Sequence, residues 1–149
     1  MDLKDILTIS GYKGLFKYIS QGRNGIIVEG LEDKKRMNVF SNYKVSSLKD
    51  IAIFTDEGEL ILPKVFKLIY DKENGLQISS DKLDEKKIKA YFEQILPNYD
   101  KEKVYVSHIK KILTWYNILI NCGITEFEEE EKNSDNSSGE EVRKEDNKK

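Results

Sequence analysis

One histidine and one cysteine, set among scattered acids and lysines, are the raw material for any chemistry in this chain. Nucleophilic catalysis by serine, cysteine or threonine commonly needs a base beside the nucleophile, and histidine serves because it titrates near neutrality. His108 directly follows Ser107, and neighbours at a helix start project in different directions. The expectation is therefore that Ser107 caps a helix and His108 sits partly exposed in its first turn. Cys122, near the end of an apolar stretch, reads as a small buried or half-buried hydrophobe and not as a reactive thiol. The pairs Gly11/Gly14 and Gly22/Gly25 open no helix after a strand, so they read as turn glycines and not as a phosphate loop.

Glu29, Glu32, Asp33, Asp56, Glu57 and Glu59 fall in or beside extended segments, and paired acids can do acid–base work or hold Mg²⁺ or Ca²⁺. A carboxylate-dependent enzyme or a small-ligand-binding protein is thus the alternative reading. Asp56-Glu57-Gly58-Glu59 lacks the alternating ligands of a calcium loop and is explained as a polar turn. No metal, cofactor or catalytic set is expected.

The fuller constellation is basic and aromatic. Lys13, Lys17, Arg23, Lys34, Lys35, Arg36 and Lys44 are interleaved with Tyr12, Phe16, Tyr18 and Tyr43, and small nucleic-acid binders pair lysine and arginine on phosphates with aromatic faces on bases. Against this, Phe16 and Tyr18 share one strand face and can be core, while Lys34-Lys35-Arg36 fits an ordinary solvated turn. Lys86, Lys87, Lys89, Lys110 and Lys111 read as solvated helix faces, because residues 97–107 are too long a connection for a tight helix-turn-helix.

The elements that must position these residues change period halfway along. Residues 14–20 and 25–31 are rich in aromatic and β-branched types, and Asn24-Gly25 suggests a type I′ hairpin between them. Further strands are expected at 36–40, 51–55 and 60–62, with a 3₁₀ turn at 46–50 and an Asp2-capped helical turn reaching Leu7. This pattern suggests an N-terminal small antiparallel β-barrel, SH3-like or Sm-like, over residues 1–62. A helical part over 63–124 follows. Pro63 starts the first helix and Gly75 stops it; Ile88, Tyr91, Phe92, Ile95 and Leu96 trace the second up to Pro97; the third runs to Gly123. The expected class is α+β with about three helices, and residues 125–149 form an acidic, disordered tail.

Charge divides unevenly: residues 1–50 carry +3, residues 51–125 are neutral and residues 126–149 carry −5. Such asymmetry allows the tail to cover the basic half. No stretch approaches the roughly 18 apolar residues of a membrane span, the N-terminus carries acids where a secretory signal would be basic, and a lone cysteine suits a reducing compartment. The cytoplasm is the expected location. The segments MDLKDILTISGYKGLFKYISQGRNGIIVEGL, KVSSLKDIAIFT and VSHIKKILTWYNIL resemble a family of small Bacteroidetes-type bacterial proteins known as a domain of unknown function, over about residues 1–122. That resemblance implies a cytoplasmic bacterial protein and carries over no site residues. The expected function is a non-catalytic adaptor that binds a protein or RNA partner through its β-rich half, away from membranes.

Overall fold

Five short segments build one antiparallel sheet: Ile6–Ile9 (β1), Phe16–Gln21 (β2), Gly25–Gly30 (β3), Arg36–Phe40 (β4) and Val45–Ser47 (β5), in the order β4-β3-β2-β1-β5. The structure is a computed structural model that describes residues 3–127. The expected cap at Asp2 and most of the expected tail, 128–149, lie outside the described residues. The hairpin between β2 and β3 turns on Arg23 and Asn24, with Gly22 N–H donating to the Gly25 carbonyl at 2.8 Å. Neither Asn24 nor Gly25 has positive φ, so this is not the type I′ turn that the Asn-Gly pair suggests. Gly25 is required for a different reason, since a Cβ there would lie 1.8 Å from the Val39 carbonyl oxygen on the neighbouring strand.

The class is α+β as expected, but the sheet is open. Among the described residues β4 does not pair with β5, whose three residues are all taken up by β1. The sheet nonetheless curls, because Val39 of β4 and Val45 of β5 pack in one small cluster with Leu7, Ile9 and Val28. Two placements differ from expectation. Residues 6–9 are a central strand, with only Leu3–Asp5 forming a 3₁₀ turn before it. Ala52–Thr55 (β6) and Gly58–Ile61 (β7) are extended as expected, but they pair with each other in a separate two-stranded sheet. The 3₁₀ turn Leu48–Asp50, N-capped by the Ser47 hydroxyl, turns the chain out of the first sheet and sends Ile53 beneath the helices.

Three α-helices follow among the described residues: Leu62–Lys72 (α1), Glu85–Ile95 (α2) and Val106–Asn121 (α3). Pro63 sits in the first turn of α1, where its missing N–H costs nothing, and Asp84 caps α2 by accepting from Lys86 N–H at 2.9 Å. The cap of α3 is not Ser107. Tyr105 occupies the N-cap, and its N–H donates to His108 Nδ1 at 3.4 Å. None of these helices is long and apolar enough to cross a membrane.

The main core joins the helices to the sheet, running from Ile6, Leu15 and Leu48 to Phe66, Phe92 and Leu113. Asn117 locks the α1–α2 connection to α3: its Oδ1 accepts from Ile78 N–H at 2.7 Å and its Nδ2 donates to the Ile78 carbonyl at 3.0 Å. Phe127 is also buried, its ring 5.7 Å from Phe66 and 6.2 Å from Tyr116, so the packed chain continues three residues past the expected end at 124. Phe127→Ala should therefore lower stability in urea unfolding by about 3 kcal/mol. Tyr99 is buried with a hydroxyl that has no hydrogen-bond partner among the described residues, so Tyr99→Phe should leave stability unchanged or raised. A loss at Phe127 below about 1 kcal/mol would contradict its packing.

Candidate functional site

Helix α3 carries two opposed stripes at the same period. Ile109, Ile112, Leu113 and Tyr116 are buried in the core, whereas Ser107, Lys110, Lys111, Thr114 and Trp115 recur at i, i+3, i+4, i+7 and i+8 and face a groove. The groove has a volume of about 920 Å³. Its other wall is the β1–β2 loop, Ser10–Gly14, with Lys44 and Ser46 at the start of β5. The loop is fixed to that strand where Ser10 N–H donates to the Lys44 carbonyl at 2.9 Å. A second hollow of about 290 Å³ lies between α3 and β6 and shares Lys111 and Trp115 with the first.

Cations dominate this surface. Lys13, Lys44, Lys110 and Lys111 make no ion pair among the described residues, and Glu85, at the start of α2, is the one carboxylate in the lining of either hollow. Lys103 in the second hollow sits 5.1 Å above the Phe54 ring. Tyr12 stacks on Tyr43 with ring centroids 6.0 Å apart. Its hydrogen bond with Tyr43 raises the Tyr12 phenol above its ordinary pKa.

Of the seven basic residues picked out from the sequence, Lys13 and Lys44 come together here. Lys17 and Arg36 stand in cross-strand register on either side of Glu29, with Arg36 Nε 3.1 Å from Glu29 Oε1. Lys34 and Lys35 are exposed in the β3–β4 turn, and Arg23 lies at the far end of the same strands. Lys110 and Lys111 are exposed, as a solvated helix face requires, and with Trp115 they line the same groove, a placement signalled in the sequence by the polar stripe of α3 ending on the sole tryptophan.

Two of the acids noted in the sequence are already engaged. Glu29 is engaged by Arg36, and Asp56 accepts from Asn98 Nδ2 at 2.9 Å. Among the described residues no group of three or more His, Cys, Asp or Glu is placed to hold a metal. The most perturbed groups lie within the helical core. Tyr91 donates a short hydrogen bond to Glu73, which also pairs with Lys82 at 3.6 Å, tying α2 to the end of α1. Burial, reinforced by Glu73, pushes the Tyr91 phenol far above its usual range, and burial pushes Tyr116 up to about 12. Their folded pKa values lie above the unfolded value of 10.0, so their contribution to stability is complete below that pH. It is lost as pH rises toward about 12. In an alkaline absorbance titration, two of the eight tyrosines should ionise last and together with unfolding. Tyr91→Phe and Tyr116→Phe should each remove one late phenol, and eight phenols all titrating near 10 would contradict this placement.

Two families match in series: Domain of unknown function (DUF5606) over residues 3–48 and Domain of unknown function (DUF6852) over residues 51–119. A solution NMR structure of a structural-genomics target from Bacteroides vulgatus is similar at 46% identity and a TM-score of 0.68, with 84% of this chain and 90% of that one covered. A search of curated proteins returned no match.

Proposed function

The chain belongs to a Bacteroidetes-type family built from DUF5606 and DUF6852, both domains of unknown function, and from that premise we propose that it is a non-catalytic, cytoplasmic interaction module whose groove takes an anionic partner. One observation carries this reading. Four lysines that make no ion pair among the described residues line a groove beside Trp115, where Glu85 is the one described carboxylate. Ammonium groups held near one another in a partly apolar trough repel each other and attract an anion, which relieves that repulsion. A carboxylate enzyme would need two convergent acids, and among the described residues the two hollows are lined by one, Glu85. A lone, half-buried Cys122 fits a reducing compartment.

The curled sheet supports the adaptor part of the reading. We take it as an open form of the small SH3-like or Sm-like barrels, since its two edge strands turn toward one shared apolar cluster. In that view the β-rich half supplies one wall of the binding surface and α3 the other.

Trp115 is the sole tryptophan, so its fluorescence reports on the groove without labelling. Titration with a generic polyanion, dextran sulfate, should change that emission, and Lys110→Glu with Lys111→Glu should abolish the response while leaving the far-ultraviolet circular dichroism unchanged. If the wild-type emission does not respond, the anion-binding reading fails.

A further inference from the structure

Resting on that reading, we infer that the groove takes a single-stranded nucleic acid, its phosphates on the lysines and a base on the Trp115 indole. The two hollows share Lys111 and Trp115, so they adjoin at the indole. Cations stand on both sides of it, Lys13 and Lys44 in the larger hollow and Lys103 in the smaller. A chain with charges at regular intervals can engage both hollows at once, whereas a small anion would leave one set unanswered. The indole decides between polymers. An acidic peptide would satisfy the lysines but offer the indole no flat partner, while an unpaired base has a face for it. A duplex keeps its bases stacked within the helix and unavailable to the indole. Lysines are point charges suited to phosphate oxygens, without the planar fork that reads base edges, so binding should tolerate many sequences.

The test uses the full chain and a fluorescent oligouridylate of about twelve nucleotides, read by anisotropy, with Trp115 quenching as a second signal. With four phosphate contacts, raising salt from about 50 to 200 mM should weaken binding about 50-fold. Trp115→Ala should weaken it about tenfold, with Trp115→Phe retaining most of the affinity. Lys110→Glu with Lys111→Glu should abolish it. An oligoglutamate that binds where oligouridylate does not would overturn this inference while leaving the anion-binding reading intact. A duplex that binds as tightly as the single strand would also overturn it. If the wild-type chain binds nothing, the same titration on Glu128→Gln, Glu129→Gln, Glu130→Gln and Glu131→Gln combined removes the competing charge of the chain's own glutamate run. Absence of binding there too, with no dextran sulfate response, would overturn both readings.

Discussion

Three of the four residues of strand β1 are buried. Ile6 points into the helical core while Leu7 and Ile9 point into the cluster beneath the curled sheet, and both of its edges are hydrogen-bonded, to β2 and to β5. Because side chains alternate along a strand, a slip of one residue would send Ile6 to the wrong core and Leu7 with it. The register of four residues is thereby fixed from two sides. The groove wall inherits that precision: the loop carrying Tyr12 and Lys13 leaves the end of β1, and Lys44 is held against Ser10 by a backbone hydrogen bond.

The other wall depends on one helix serving two environments. The apolar stripe of α3 is buried against α1, α2 and the sheet, so the opposite stripe cannot rotate or shift without opening the core. Lys110, Lys111 and Trp115 therefore project from a rigid support. A side chain loses less freedom on binding when its backbone is already fixed, which favours helix-borne contacts over loop-borne ones. The β1–β2 loop opposite them is short and tied to the start of β5 through the Ser10 N–H to Lys44 carbonyl hydrogen bond.

The features legible in the sequence were those decided locally. Helical period, Pro63, Pro97 and the glycines that close helices act within a turn or two, and the three helices stand where those signals place them. The 3₁₀ turn at 48–50 is similarly local. Strand membership is not. Ala52–Thr55 is visibly extended, but whether it joins the first sheet depends on how the preceding turn aims it. Ile6–Ile9 is a strand because of partners around residues 16–17 and 45–47, which no local pattern reveals. The same limit governed the site. Lys13 and Lys44 were recognisable as basic residues near aromatics, but their meeting with Lys110 and Lys111 is set by tertiary packing across some hundred residues of chain. Phe127 was hidden by its acidic neighbours, since composition averages away a single aromatic anchor.

Leu48 is fully buried and lies at the join between the segments matching the two families. It belongs to the same apolar cluster as Leu3 and Ile6 on one side and Ile53 and Phe66 on the other. The seam between two units of sequence is thus the middle of one unit of packing. Inheritance must treat the halves as a pair: a gene fragment encoding either alone would yield a surface of exposed leucine and isoleucine, and recombination with foreign partners would succeed only where the new neighbour reproduced that surface. A substitution on one side of residue 48 therefore changes packing made by residues on the other.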